Sequence, residues 1–455
     1  MSTKVLVPSG VLGLGFNEKA LEKGLERNPD IICIDGGSTD SGPFYLGTGT
    51  TKYSEEICKQ EWRVLMQARH RLNIPLMIGS CGTCGTNSMV DWMFKLTLEI
   101  AKELGQDLKI VRVYCERKKD ALITALRSNA IKPLNPILSV NEEEIETFSN
   151  IVALAGAEVF QNALSQRADI VIVGRATDTA IISALPLLQK ENNGASWHGA
   201  KIAECGAFCS SNPQSGVILL EVDKNGFTVE AMAEDAFCSP DSVSAHMLYE
   251  NSNPFILYEP GGHLDVSDAQ YQAINKRQVR VTGSKWIPNQ EYTVKLEAAK
   301  LAGFQTVMLA TIREKYYVDN VVRWTEKLKE LGKEKVIANL SLNNCDFDID
   351  VRIIGRDATL GNQEKSFSGD LREVGILVII TASTQKISTQ IAAVLNPYLL
   401  HLPLQENTAL PTFSFPFSPA SIDKGELYEF ALNHVEILNN PCDGFEFLVS
   451  EVRYA

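Results

Sequence analysis

The chain has 455 residues, of which 45% are hydrophobic and 22% are charged. A chain of this length is longer than most domains that fold around one hydrophobic core. Two or three domains are therefore expected. A formal net charge of −13 disfavours nucleic acid as a partner, because an acidic surface repels phosphates. No apolar run reaches the roughly 18 residues that cross a membrane, and the N-terminus lacks the apolar stretch of a signal peptide. Ten cysteines scattered along such a chain favour a cytoplasmic protein with reduced thiols.

Short apolar runs alternate with amphipathic stretches in the first 212 residues, which is typical of strands followed by helices. Apolar runs without polar alternation suit a parallel sheet that is covered on both faces. The predicted strands cover residues 4–8, 31–35, 75–78, 110–114 and 169–173. The predicted helices cover residues 18–27, 54–72, 87–104, 120–127, 142–164 and 179–188. The sequence therefore predicts an α/β fold with a doubly wound, mostly parallel sheet in its N-terminal half and an α+β C-terminal part.

The pattern changes near residue 212. A hairpin with an Asn-Gly turn is predicted within residues 216–230, and a helix over residues 316–331 is expected to end at Gly332. We predict three domains. They are a doubly wound α/β domain over residues 1–212 that carries the ligand loops, an α+β domain over residues 213–340, and a C-terminal α/β segment over residues 341–455 that packs on the rest.

Four polar loops follow predicted strands, and ligands bind at the carboxyl ends of strands in open parallel sheets. The first loop, residues 9–16, contains three glycines. Their spacing does not fit a dinucleotide-binding fingerprint, so the loop is either a tight turn or a close approach to another kind of ligand.

The second loop, residues 35–47, combines two carboxylates with several hydroxyl groups. Asp35 and Asp40 are candidate ligands for a divalent metal ion, because hard cations prefer carboxylate oxygens. Ser38 and Thr39 are candidate hydrogen-bonding groups for a small polar substrate. The structural alternative is that these residues serve only as helix caps and turn formers.

The third loop, residues 79–87, leads from a strand into a helix. The hydroxyl groups of Ser80, Thr83 and Thr86, together with backbone N–H groups, could hold an oxyanion or a phosphate. The loop also contains a Cys-x-x-Cys pair, which is either a redox dithiol, half of a metal site or two buried, inert thiols. A complete metal site would comprise Cys81, Cys84, Cys205 and Cys209.

The fourth loop, residues 173–179, places Arg175 and Asp178 after a strand. Arg175 is a candidate anchor for a substrate carboxylate through a bidentate contact. Asp178 is either a helix N-cap or a catalytic carboxylate. His263 follows later, between two acids, and is either a general base, a metal ligand or a satisfied histidine of a surface turn.

Several segments resemble a known family in the order in which they occur. The most specific are residues 35–47 (DGGSTDSGPFYLG) and 257–265 (LYEPGGHLD). The others are residues 74–80 (IPLMIGS), 168–178 (ADIVIVGRATD), 204–206 (ECG), 281–286 (VTGSKW), 292–297 (YTVKLE) and 416–419 (PFSP). These segments resemble the acyclic terpene utilisation (AtuA-type) family along nearly the whole chain. The resemblance implies a place in the breakdown of branched or terpenoid carbon skeletons through CoA-linked acids, and it carries no agreed set of catalytic residues.

We therefore predict an enzyme of small-acid catabolism. It is a hydratase, dehydratase or isomerase that acts on a branched hydroxy- or unsaturated carboxylate or on its CoA ester. Asp40, Asp178 and His263 would transfer protons, and a divalent metal ion held by Asp35 and Asp40 would act as a Lewis acid. The alternative is a non-catalytic subunit or ligand-binding protein that needs a partner chain, which the missing catalytic signature favours. We also expect a homo-oligomer, as is common for acidic cytosolic enzymes of this size.

Overall fold

The computed structural model describes residues 2–137, 139–365 and 369–454. The chain divides into two compact units, the first formed by residues 1–300 and 430–455 and the second by residues 301–429. The domain boundaries expected near residues 212 and 340 stay predictions. Among the helices of the described residues, none combines the length and the apolar character that a membrane crossing requires.

Strands and helices alternate from residue 3 to residue 188, as the apolar pattern predicts. The strands of the first unit are β1 (Thr3–Val7), β2 (Ile31–Asp35), β3 (Leu76–Gly79), β4 (Leu108–Tyr114), β5 (Ile131–Pro133), β6 (Phe148–Ala153), β7 (Ile170–Val173), β8 (Ile218–Asp223), β9 (Gly226–Ala231), β10 (Ile256–Glu259), β11 (Gly262–Asp265), β12 (Gln270–Ala273), β13 (Gln278–Thr282), β14 (Lys285–Pro288) and β20 (Glu446–Val452). Its helices are α1 (Glu18–Leu25), α2 (Phe44–Thr48), α3 (Glu55–Leu72), α4 (Asn87–Leu104), α5 (Lys119–Arg127), α6 (Glu142–Thr147), α7 (Ala157–Ser165), α8 (Asp178–Leu188), α9 (Asn193–Ala203) and α10 (Pro240–Ala245).

A mixed sheet organises the first unit. In the described residues its strand order is β12-β13-β9-β8-β1-β2-β3-β7-β4-β20. The central strands β1-β2-β3-β7-β4 are parallel, whereas β8 joins β1 and β20 joins β4 in antiparallel pairs. Every residue of β2, β3 and β7 is buried, so both faces of this region are covered. The parallel sheet expected for the N-terminal half is therefore confirmed.

Helices and a hairpin complete the first unit. Helices α3 and α4 pack together, and α7, α8 and α9 form a second packed group that contacts β1, β2 and β3 through α8. The predicted hairpin is also confirmed, because β8 and β9 pair from Ile218↔Ala231 to Asp223↔Gly226. The side chain of Asp223 accepts hydrogen bonds from the backbone N–H groups of Asn225 and Gly226, which holds the turn.

One predicted helix is wrong. Residues 142–164 form helix α6, strand β6 and helix α7 instead of one long helix. Residues 148–153 pair in the antiparallel sense with the long strand β15 (Tyr292–Ile312), for example Ala153 with Leu296. This partner lies far along the chain, so a local apolar pattern cannot reveal that the segment is a strand.

The second unit combines antiparallel strands with helices. Its elements are β16 (Phe347–Ile354), β17 (Val374–Ala382), β18 (Phe413–Ser414), α11 (Lys315–Asp319), α12 (Val321–Leu340) and α13 (Gln385–His401), together with parts of β15 and β19 (Ser421–Leu438). Helix α12 does not end at Gly332, as predicted, but continues to Leu340. A Cβ atom at Gly332 would lie 2.4 Å from Leu395 Cδ2, so this glycine permits close helix packing instead of ending the helix.

Candidate functional site

A cavity of about 550 Å³ lies in the first unit, where loops leave the carboxyl ends of β1 and β2 and helix α8 begins. Its acidic lining residues are Asp35, Asp40, Asp178, Glu204 and Glu250. Its larger apolar lining residues are Val11, Leu14, Phe208 and Tyr249. The volume and the mixture of apolar and polar groups suit a small organic ligand.

Glycines bring the loops of this region into backbone contact. A Cβ atom at Gly36 would lie 2.5 Å from the Ser80 carbonyl oxygen, and one at Gly85 would lie 2.2 Å from the Arg175 nitrogen. Ser80 and Thr83 adopt left-handed backbone conformations, with φ of +46° and +76°. Such φ values are costly for residues other than glycine, so the contacts between loops must hold this conformation in place.

Arg175 is buried in an ion pair. Its Nε lies 3.0 Å from Glu297 Oε2 and its Nη2 lies 3.4 Å from Glu297 Oε1, while Nη1 donates to Ser80 Oγ at 3.1 Å. Thr39 Oγ1 donates to the same carboxylate at 3.2 Å. Burial disfavours ionisation of Glu297, but Arg175 and Lys295 outweigh it and lower the pKa of Glu297 to about 2. The bidentate face of the guanidinium is therefore already engaged by Glu297.

Asp178 is the first residue of α8 and does not cap the helix. The cap is Thr177, whose side chain accepts from the Ala180 N–H. Burial raises the pKa of Asp178 to about 6, although the charges of Arg175 and Lys201 lower it. Because its side chain lines the cavity and is not needed as a cap, the capping alternative raised from the sequence is excluded.

Asp35 is the last residue of β2 and is buried. Its Oδ2 accepts from the Gly37 N–H at 3.1 Å, whereas Oδ1 has no hydrogen-bond partner among the described residues. Burial and the neighbouring charge of Asp178 raise the pKa of Asp35 well above its usual range. Two carboxyl groups that interact in this way hold on to a proton more strongly than either would alone.

A third carboxyl group is paired with a lysine at the end of α9. The buried side chain of Lys201 forms an ion pair with Glu204 Oε1. Burial, opposed by Lys201, raises the pKa of Glu204 to about 8. The neighbouring Cys205 also lines the cavity, and burial together with Glu204 raises the pKa of its thiol.

Glu259, the last residue of β10 in the three-stranded sheet β10-β11-β14, contacts the start of α8 and lies outside the lining of the acidic cavity. Thr179 Oγ1 donates to Glu259 Oε1, and Oε2 is buried with no hydrogen-bond partner in the part of the chain that the structure describes. Burial raises the pKa of Glu259 to about 7, with a further contribution from the charge of Asp178.

His263 lies on the opposite face of this small sheet. It pairs with Tyr258 across the antiparallel ladder, whereas Glu259 pairs with Gly262. Directly paired residues share a face and successive residues alternate, so His263 faces away from Glu259. His263 is not among the residues that line the acidic cavity, and its catalytic role stays a prediction.

The other predicted residues fall into two groups. Ser38 and Asp40 line the cavity, and Ser38 Oγ donates to Asp40 Oδ2 at 2.7 Å. Thr83 and Thr86 lie outside the cavity lining and bond within the loops, where Thr83 Oγ1 accepts from the Lys52 N–H and Thr86 Oγ1 contacts Ser88 Oγ. The first group is placed to meet a ligand, and the second supports the loops that form the cavity.

The structure does not assemble a four-cysteine site. Cys81 and Cys84 are buried within the third loop. Cys209 instead lies against Cys238, and the hydrogen bond with Cys238 together with burial raises the pKa of the Cys209 thiol. Within the described residues, one group of His, Cys, Asp or Glu side chains has three possible metal-ligand atoms within 4.8 Å of one another. It consists of Glu204, Cys205 and His246.

Sequence reasoning missed several residues of this site. Glu204, Glu259 and Glu297 each lie in a segment that carries the family resemblance, so those segments held a usable signal. Lys201 and His246 lie in no motif that the sequence singles out. Their positions depend on how α9 and α10 pack, which local patterns do not determine.

The chain is an α/β protein with an acidic cavity at the carboxyl ends of its parallel strands, which is the edge at which proteins with open α/β sheets bind their ligands. The family model described as acyclic terpene utilisation family protein AtuA matches residues 50–404. The chain belongs to this family, and membership suggests a role in acyclic terpene utilisation. Neither the curated proteins nor the solved structures contain a match to the chain.

Proposed function

We propose that the chain is a hydratase that adds water reversibly to a branched, α,β-unsaturated acyl thioester. One observation carries the proposal: Asp35 and Asp178 both line one cavity and interact electrostatically. Burial and mutual repulsion favour a state in which one of the two carboxyl groups keeps a proton, and we assign that proton to Asp35, whose Oδ1 accepts no hydrogen bond from the described residues. Two carboxyl groups held in different protonation states supply a general base and a general acid.

The two groups would divide the reaction between them. The Asp178 carboxylate removes a proton from water as the water oxygen bonds to the β-carbon. The Asp35 carboxylic acid donates its proton to the α-carbon, where the double-bond electrons have moved. Afterwards Asp178 carries a proton and Asp35 is ionised, and transfer of that proton back to Asp35 completes the cycle. The same pair could move a double bond by transferring protons between carbons, which is the isomerase form of the proposal.

The electrostatics of the cavity favour a thioester over a free carboxylate. A carboxylate inside the cavity would face the Asp178 carboxylate, with the acidic side chains of Asp40 and Glu250 on the same wall, and like charges in a partly buried site repel. Arg175, the anchor expected from the sequence, is already paired with Glu297. A thioester carbonyl carries no charge, and the apolar lining of the cavity suits a branched hydrocarbon chain.

The test is turnover of branched enoyl-CoA thioesters by the purified full chain, followed by loss of the conjugated enoyl absorbance. Asp178→Asn and Asp35→Asn should each reduce turnover by about 10²- to 10⁴-fold, the usual contribution of a positioned acid or base. Asp169→Asn is the matched control. Asp169 lies just before the first residue of β7, at the end of the strand away from the cavity, and its Oδ1 lies 2.7 Å from Arg69 Nη2. It should leave turnover unchanged.

Two outcomes would overturn the proposal. Unchanged turnover in both dyad variants would exclude the acid–base pair. Inactivity of the wild-type chain on all thioesters, with activity restored by a second chain, would establish the partner-dependent subunit instead.

A further inference from the structure

Three donor atoms of different chemistry meet beside the acidic cavity. One ligand atom from each of Glu204, Cys205 and His246 lies within 4.8 Å of the other two. Glu204 and Cys205 also line the cavity, so the cluster lies at its wall. Metal–ligand distances of about 2.0–2.3 Å place the ligand atoms of one ion about 3–4 Å apart, so a carboxylate oxygen, a thiol sulfur and an imidazole nitrogen within 4.8 Å of one another need only a small adjustment to share an ion.

His246 supplies an independent observation. Its side chain is 5% exposed, yet its Nε2 has no hydrogen-bond partner among the described residues. Buried ring nitrogens are nearly always paired, so an unpaired one requires an explanation. The ring is held in place by a hydrogen bond to the Lys201 backbone and by stacking on Tyr249, with ring centroids 5.6 Å apart. A backbone hydrogen bond on a histidine ring is the usual support for a metal-binding nitrogen.

The local fold fixes the cluster. Helix α9 ends at Ala203, and the chain turns sharply at Gly206, which has φ of +60°. A Cβ atom at Gly206 would lie 2.6 Å from the Gly216 carbonyl oxygen, so the turn is packed against neighbouring backbone. His246 follows helix α10, which contacts the Gly206–Cys209 turn. The three side chains are therefore positioned by packed elements and not by a mobile loop.

Charge around the cluster favours a cation. Lys201 pairs with Glu204 through Oε1, and a carboxylate can accept further partners at both of its oxygens. Asp40 and Asp178 line the same cavity, so their carboxylates would attract a divalent ion and oppose the repulsion from Lys201. Sulfur and nitrogen donors select zinc-type ions, whereas magnesium and calcium prefer oxygen ligands.

We propose that Glu204, Cys205 and His246 bind a divalent metal ion of the zinc type, with at least one coordination position open to the cavity. Three protein ligands with an open position are typical of catalytic zinc sites, whereas structural sites are closed by a fourth ligand. Metal binding does not depend on the hydratase reaction. If that reaction holds, the ion would polarise the thioester carbonyl and stabilise the negative charge that develops on its oxygen.

The test uses the full chain, stripped with a chelator and then titrated with zinc or cobalt ions. We expect one ion per chain. Cobalt should produce a thiolate-to-cobalt charge-transfer band, which requires a bound cysteine sulfur. Cys205→Ser should abolish this band, and Cys205→Ser and His246→Ala should each weaken zinc binding by more than about 100-fold, beyond the loss typical of outer-shell partners.

The matched control is Cys84→Ser, which alters a buried thiol outside the cluster that contacts Thr86 Oγ1 at 3.5 Å. It should bind zinc and cobalt like the wild type. Thermal unfolding of each variant establishes that it is folded, and the wild-type cobalt spectrum decides the question if Cys205→Ser does not fold.

Three results would overturn the proposal: no stoichiometric ion in the wild type, bound cobalt without a thiolate band, or binding lost in Asp40→Asn but retained in Cys205→Ser. Stoichiometric zinc with no turnover of thioesters would refute only the hydratase reaction.

Discussion

Replacing Asp178 by asparagine tests whether this carboxylate serves turnover or the stability of the fold. The substitution keeps the size of the side chain and removes its charge. In the folded chain, burial raises the pKa of Asp178 from 3.8 to about 6. At neutral pH the folded protein therefore holds a charge that its surroundings disfavour, and we expect Asp178→Asn to be more stable than the wild type while losing turnover.

The magnitude follows from the pKa shift. A shift of about two pH units at about 1.4 kcal/mol per unit corresponds to at most about 3 kcal/mol of free energy of unfolding. The sign depends on pH, because an acid with a raised pKa binds protons more strongly in the folded state. Its cost is full above pH 6, shrinks as the pH falls and disappears below 3.8. The stability advantage of the variant should fall in the same window.

The assay is denaturant unfolding of both proteins at pH 7 and at pH 4.5, together with turnover at pH 7. Asp169→Asn is again the control. It removes a carboxylate that accepts hydrogen bonds from Arg69 and from the Lys109 N–H, so it should destabilise the chain. Equal or lower stability of Asp178→Asn at pH 7 would refute the electrostatic reasoning. Unchanged turnover would refute the catalytic role.

Three further predictions concern the surrounding structure. Glu297→Gln leaves the buried Arg175 guanidinium without its counter-charge and should lower the free energy of unfolding by about 3–5 kcal/mol; a loss below about 1 kcal/mol in denaturant unfolding would contradict this. Gly85→Ala places a Cβ atom 2.2 Å from the Arg175 nitrogen at φ of +65°, so its loss of stability should exceed that of Gly105→Ala, which has φ of +62° and open space; equal losses would contradict it. Burial lowers the pKa of His198 to about 3, so protonation of this ring opposes folding and the free energy of unfolding should fall as the pH drops below 6.5. NMR should show a neutral His198 ring at pH 5, and a titration near pH 6.5 would contradict the prediction.

The sequence was most informative where a buried strand leads into a polar loop. The apolar runs that form β2 and β7 predict where these strands end. Asp35 lies at the end of β2 and Asp178 follows β7, and the carboxyl ends of parallel strands meet at one edge of a sheet. Both side chains line the cavity, as the loop argument requires. Apolar runs and glycines are local features, so they can be read without knowledge of the tertiary structure.

Partners that are distant along the chain could not be predicted in this way. Arg175 was expected to hold a substrate carboxylate, and its fork instead meets Glu297, 122 residues further on. A guanidinium suits either partner equally well, so its chemistry alone does not identify which one is present. His246 shows the same limit, since only the packing of α10 brings it to Glu204 and Cys205.

The acidic cavity and the proposed metal ion address the same electrostatic problem. Asp35, Asp178, Glu204 and Glu259 all have raised pKa values, and Lys201 contacts this group through Glu204. The raised pKa values of Asp178 and Glu204 lower the free energy of unfolding at neutral pH, and a bound dication would reduce that cost by favouring their ionised forms. An ion at the cavity wall would then lower the raised pKa of Asp178 and keep this residue ionised as the base. It would also hold an uncharged thioester by its carbonyl, in a cavity where a free carboxylate would be repelled.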